Sequence, residues 1–106
     1  MSRSVVVCYQ TRPESAAENK RLVEAVFAEL AEAKPDGLSY LTFQLSDGVT
    51  FVHIAIEEPD IPVLPELAAF QEFTRDITAR AVQQPTPTAA TLVGSYRFSV
   101  GPAGHQ

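Results

Sequence analysis

The sequence has one cysteine, Cys8, no tryptophan, and only eight basic side chains against thirteen acidic ones in 106 residues. A lone cysteine cannot close an intramolecular disulfide and has no second thiol for a thiolate metal site. Set among valines in SVVVCYQT, it is expected to be a buried, inert thiol. The six arginines are scattered and the net charge is -5. Binding nucleic acid requires a basic face that displaces counterions, so no nucleic-acid partner is expected. No apolar run approaches the roughly 20 residues of a bilayer span, and no membrane partner is expected. The opening MSRSVVVCYQTRPE has too short an apolar stretch, and no small-residue cleavage site, for a secretory leader. A cytoplasmic location is the resulting expectation. Glycine-rich phosphate loops, a nucleophile elbow and zinc-ligand spacing are also missing, so no recognisable signature of those chemistries is present.

Apolar residues make up 45% and charged residues 20%, a balance that suits one globular core. A chain of this length buries roughly two thirds of its unfolded surface. One domain over 1–106 is expected, with GPAGHQ (101–106) as a loose tail. SVVVCYQT combines β-branched and aromatic residues ahead of a proline and predicts a first strand. Ser15 and Glu18 have the spacing of a capping box, and Leu22, Val23, Val26, Phe27 and Leu30 follow at helical spacing. The first helix should run to about Lys34, where Pro35, Asp36 and Gly37 end it.

LSYLTFQLS and VTFVHIAIE flank Asp47-Gly48, the pattern of a β-hairpin with a type I′ turn. A two-residue turn sets Ser46 opposite Val49, Phe43 opposite Val52, Thr42 opposite His53 and Leu41 opposite Ile54. After the connector EEPDIPVLP, the residues Leu67, Phe70, Phe73, Thr74, Ile77 and Ala81 mark a second helix ending near Val82. QQPTPTA reads as a further connector and ATLVGSYRFSV as the last strand. The order β-α-β-β-α-β is that of an α+β, ferredoxin-like fold: a four-stranded antiparallel sheet, strands 1 and 3 central, with two helices on one face.

The hairpin register divides its side chains into two sets. Leu41, Phe43, Leu45, Val52, Ile54 and Ile56 are the greasier set and are expected under the helices. Tyr40, Thr42, Gln44, Phe51, His53 and Ala55 form the other face, which no element of one chain remains to cover. Such a patch is large for a monomer, and a second copy on a two-fold axis is the simplest cover. A homodimer is therefore expected, its interface including Tyr40, Gln44, Phe51, His53, Arg97 and parts of the last strand.

Five stretches, YQTRPE, PDGLSYLTFQL, TFVHIAIEE, AFQEFT and LVGSYRF, resemble the antibiotic biosynthesis monooxygenase-like domains of the dimeric α/β-barrel superfamily. The resemblance spans nearly the whole chain and contains no catalytic signature. It implies two ferredoxin-like subunits whose sheets close a barrel, with a pocket between each sheet and its helices. It also implies oxygenation of an aromatic or quinone-like molecule with no cofactor, the substrate supplying the electrons, or alternatively a non-catalytic ligand-binding or structural dimer. Members often have a tryptophan after strand 3 and a histidine in helix 2. Here there is no tryptophan, and Phe70 and Gln71 occupy the helix position, so haem degradation lacks its axial imidazole.

His53 has two candidate roles. It could be a general base for a phenolic or enolic proton, or a structural residue bonded to Thr42 at the dimer interface. With no partner motif nearby, the structural role is expected, outside any sheet-helix pocket. Metal binding is not expected, because His105 lies in the tail and no other ligand stands at suitable spacing. Asn19 sits on the apolar stripe of the first helix and could bind a ligand carbonyl or, as the plainer alternative, satisfy a backbone group near the helix terminus. Tyr9 and Tyr96, expected on neighbouring strands, are candidates for orienting an aromatic ligand in the pocket. Arg97 could anchor an anion or form a surface or interface ion pair.

Overall fold

The computed structural model describes residues 3–57 and 63–97. Its strands are β1 (Arg3–Thr11), β2 (Leu38–Gln44), β3 (Thr50–Glu57) and β4 (Ala81–Ala90), and its helices are α1 (Ala16–Ala33), α2 (Ala68–Arg75) and α3 (Ile77–Arg80). All strand pairs are antiparallel and the sheet order is β2-β3-β1-β4. This is the ferredoxin-like βαββαβ arrangement. The tail 101–106 with His105, part of the EEPDIPVLP connector, and residues 98–100 of the expected last strand lie outside the described residues.

Chain entry into α1 differs from a capping box. A 3-10 turn over Pro13–Ser15 starts the helical rotation early, Ser15 makes no side-chain cap, and Glu18 is turned to Arg21, which donates to it at 3.0 and 2.7 Å. At the other end Lys34 takes φ 47 and its N–H bonds Leu30 O. Pro35 bars the α region to the residue before it, so the helix stops there in a left-handed cap.

The hairpin register is as expected, with Thr42 opposite His53 and Phe43 opposite Val52. The turn is not type I′, since Gly48 (φ 80) but not Asp47 has positive φ, and the Gly48 N–H donates to Leu45 O. The Asp47 carboxylate holds the turn instead, accepting from the N–H groups of Val49 and Thr50 at 2.9 Å and from the Thr50 hydroxyl at 2.6 Å.

The second half departs further. The helix expected to reach Val82 breaks at Asp76, resumes as α3, and gives way to β4 at Ala81. The strand therefore contains QQPTPTA, and LVGSYRF lies past its end. Prolines argued against a strand there, but β4 is an edge strand, where a missing donor costs least. Its register against β1 shifts on both sides of Gln10, accommodating extra residues as bulges.

The sheet faces are the reverse of the expected assignment. Tyr9, Phe51 and His53 are buried beneath the helices and cluster with Leu22, Val23, Val26, Leu64, Leu67, Phe73 and Ile77. Tyr40 and Ala55 pack against the same cluster. By the alternation of strands, Val6, Cys8, Leu41, Phe43, Val52, Ile54 and Ile56 share the opposite face. Phe43 is 52% exposed and Cys8 is exposed rather than buried. The phenols and imidazole can go inward because Asn19 of α1 partners Tyr9 while Tyr9, Tyr40 and Thr42 partner His53, which removes the penalty that made the aliphatic set look like the inner one.

Candidate functional site

Between the inner face and α2 lies a cavity of about 330 Å³, near the lower end of ligand-site volumes. Val5, Val7 and Tyr9 of β1 form its floor together with Tyr40, His53 and Ala55. Phe70, Phe73 and Ile77 roof it, and Pro85 and Pro87 of β4 close one side. The walls are mainly apolar, so the polar atoms in them are easily enumerated.

Besides Arg3, Glu57 and Thr74, these are the hydroxyls of Tyr9 and Tyr40 and the imidazole of His53, which belong to a chain of hydrogen bonds reaching back into the core. Arg80, 7% exposed, bonds Asn19 Oδ1 from Nε at 3.0 Å and Phe73 O from Nη2 at 2.7 Å, with its guanidinium 5.4 Å from the Phe73 ring centre. Asn19, with no exposed surface, donates from Nδ2 to the Tyr9 hydroxyl at 2.9 Å. The Tyr9 oxygen is 2.9 Å from His53 Nε2. On the other side of the ring, Nδ1 lies 2.6 Å from the Tyr40 hydroxyl and 3.1 Å from that of Thr42.

Chemistry orients every link. Guanidinium has donors only, so the amide oxygen of Asn19 must face Arg80 and its NH₂ must face Tyr9. The Tyr9 oxygen accepts that bond, which leaves its own hydrogen for the one acceptor in reach, His53 Nε2. The imidazole proton then resides on Nδ1, donating to Tyr40 or Thr42. The Tyr40 hydrogen is left free to point at an occupant of the cavity. The donors all run one way, from a buried cation to a phenol at the cavity wall, and bonds so aligned polarise one another.

Burial pushes the His53 pKa down to about 4, so the ring is neutral near pH 7. Burial raises Tyr40 to about 12, against a smaller opposing effect of the Thr42 hydroxyl, and keeps the phenol protonated. Tyr9 is also raised by burial, and desolvation lowers Arg80 from a value high enough that it stays charged. At about 4, His53 is a poor acceptor for a phenolic proton: the ~6 unit gap to a phenol of pKa ~10 is ~8 kcal/mol uphill. Its place in the chain is that of a relay that orients Tyr40.

Of the candidate residues, the structure puts Tyr9 and His53 in the cavity wall, while Asn19 does not line it and lies behind Tyr9, fully buried. Asn19 bonds side chains rather than the helix terminus. His53, Phe51 and Tyr40 lie on the helix side, not on the uncovered face, which corrects their placement at the dimer interface. Gln44 is exposed at the hairpin end and donates to Gly48 O at 3.0 Å. Tyr96 is not a neighbour of Tyr9; it is 81% exposed past β4, with Arg97 bonding its hydroxyl at 3.1 Å. The residues not anticipated are Tyr40 as a cavity donor and Arg80. Arg80 stands three positions after Ile77 and seven after Phe73, so a cation sat unremarked on the apolar stripe of the second helical segment. Among the described residues no group of three metal-ligating side chains occurs, and no helix is long and apolar enough to cross a membrane.

Three solved structures superpose closely. Rv0793 from Mycobacterium tuberculosis matches with TM-score 0.71 at 16% identity, over 90% of this chain and 98% of that one. A candidate antibiotic biosynthesis monooxygenase from Nitrosomonas europaea matches with TM-score 0.72 at 10% identity, over 87% of this chain and 90% of that one. The fold is that of the antibiotic biosynthesis monooxygenase-like proteins. A third structure, an antibiotic biosynthesis monooxygenase, matches with TM-score 0.63 at 22% identity, over 89% of this chain and all of that one. No protein-family model and no curated protein matches the sequence. At these identities the likeness fixes the architecture, and the cavity must be argued from its own residues.

Proposed function

We propose that the chain is a small monooxygenase-like protein that acts, without a cofactor, on an aromatic or quinone-like molecule bound in the cavity under α2. The observation that carries this is the Tyr40 hydroxyl, bonded to His53 at the wall of a mainly apolar, aromatic-walled space. A flat ring system suits those walls, and a carbonyl or enolate oxygen on it would accept from Tyr40. Donation to that oxygen stabilises the enolate more than the neutral ketone, which eases loss of a proton from the adjacent ring carbon. The enolate can then give electrons to dioxygen: a ring CH₂ plus O₂ yields C=O plus H₂O, the carbon losing both hydrogens and dioxygen being reduced by the substrate alone.

A specific observation favours a second reading, a ligand-binding protein without turnover. The depressed basicity of His53 leaves no strong proton acceptor beside the Tyr40 oxygen. Oxygen uptake with hydroxyanthrones and hydroquinones separates the two. Uptake that falls at least about tenfold in Tyr40→Phe, which loses one hydrogen bond to a charged oxygen, supports the enzyme. Binding of the same compounds without uptake establishes the binding protein.

The outer face calls for a partner, and we propose a second copy of this chain. Val6, Leu41, Phe43, Val52, Ile54 and Ile56 form an apolar surface on which Phe43 is 52% exposed and the others are half-buried. Leu92, Val93 and Tyr96, each more than half exposed, continue past β4 as further unpacked apolar groups. Two such faces stacked on a two-fold axis would bury both at once. Sedimentation at micromolar concentration tests this, and a monomer would refute it.

A further inference from the structure

We propose that Glu57 is a second ligand anchor at the opposite end of the cavity from Tyr40, and that the ligand accordingly carries a hydroxyl at its far end. The inference rests on the cavity being the ligand site. Glu57 follows His53 and Ala55 on the same face of β3 and lines the same cavity. Its side chain is only 11% exposed. Oε2 lies 3.5 Å from Arg3 Nη2, a long contact to a side chain that is itself 61% exposed. Oε1 is buried and has no donor within reach among the described residues.

A buried carboxylate oxygen without a donor is costly and uncommon in folded proteins. Of the other lining residues, Arg3 reaches only Oε2, Thr74 gives its hydroxyl to Gln71 O at 3.2 Å, and Ala55, Val5, Val7 and Pro87 have no side-chain donor. No described residue supplies the missing donor, and on this proposal it comes from what fills the space. Tyr40 pairs with Ala55, but its hydroxyl leans back to His53 Nδ1 at 2.6 Å, and His53 is four strand steps from Glu57, about 13 Å between Cα atoms. A ligand meeting both ends is thus long, rigid and apolar in its middle. It carries an acceptor oxygen at the Tyr40 end and a hydroxyl at the Glu57 end. A linear three-ring aromatic with oxygens at its two extremities has that form.

The alternative is that Glu57 only ties β1 to β3 through Arg3, and the test separates the two. Binding of anthraflavic acid, the anthraquinone with hydroxyls at opposite ends, is measured by fluorescence titration beside its dimethyl ether, which keeps acceptor oxygens but has no donor. The unmodified protein should bind the diol about tenfold more tightly than the ether, the worth of one hydrogen bond to a carboxylate. Glu57→Leu should erase that preference while leaving ether affinity within about twofold, and Glu57→Gln, whose amide oxygen still accepts, should keep part of it. Equal weakening of both compounds in Glu57→Leu would assign Glu57 a structural role and overturn the proposal. Equal affinity of the two compounds for the unmodified protein would overturn it too, with the cavity reading intact. Binding of neither compound would remove the cavity reading and this inference with it.

Discussion

On the inner face of the sheet the phenols of Tyr9 and Tyr40 and the imidazole of His53 each meet a partner, whereas the outer face carries half-buried aliphatic side chains and an exposed Phe43. Hydrophobicity alone ranks the outer set as the better core. The molecule buries the more polar set because α1 brings Asn19 and α3 brings Arg80 to complete its hydrogen bonds. A polar face can thus be the interior when its partners are built in, and an apolar face can be left outside when a partner surface is to be met.

Breaking the inner face should have the largest effect. Arg80→Ala leaves Asn19 Oδ1 and Phe73 O without donors, and should cost about 3 kcal/mol, read as a shift in the urea midpoint. A loss below about 1 kcal/mol would mean that the chain of bonds does not begin at Arg80.

Acid should act on the same face by a similar amount. His53 titrates near 6.5 in an unfolded chain and at about 4 when folded. Between those values the unfolded state binds more protons, so stability is fully present above about pH 6.5 and is lost as pH falls toward about 4. The loss should total about 3 kcal/mol. His53→Gln, which keeps a hydrogen-bonding side chain without the titration, should flatten this slope at some cost in stability at pH 7. Persistence of the full slope would locate the titrating group elsewhere.

The outer face gives the smallest effect on the subunit and the sharpest contrast. Phe43→Glu should leave unfolding within about 0.5 kcal/mol while converting the proposed dimer to monomer in sedimentation. Cys8 shares that face and reports independently: its thiol should react slowly with a maleimide in the dimer and quickly in the variant. Fast labelling of the unmodified protein would show the face to be open.

Much of the fold was legible because local signals and tertiary demands coincide. Asp47-Gly48 set the hairpin register even though the turn type differed, since a single glycine and a carboxylate that accepts three bonds suffice to hold it. β4 was not legible. Its prolines read as a connector because a sequence does not say which strand will be an edge, and the greasier LVGSYRF drew the strand assignment ten residues downstream. The inner face was misread for a related reason. Binary patterning weighs Tyr40 and His53 as polar and cannot see that Asn19 and Arg80, far apart in the chain, will join them in one chain of hydrogen bonds through Tyr9. Asn19 and Tyr9 stood out by position, whereas Arg80 became visible only when the helix was found to end at it.

The enclosure of Tyr9 also has a consequence in time. Its hydroxyl oxygen accepts from Asn19 and its hydrogen is held by His53 Nε2, in a residue only 2% exposed. Solvent can replace it only when α1 lifts from the sheet or the cavity opens, so its exchange with water should be slow enough for a hydroxyl resonance to be seen. That one proton would then keep count of how often the subunit breathes, and a ligand seated in the cavity should slow the count.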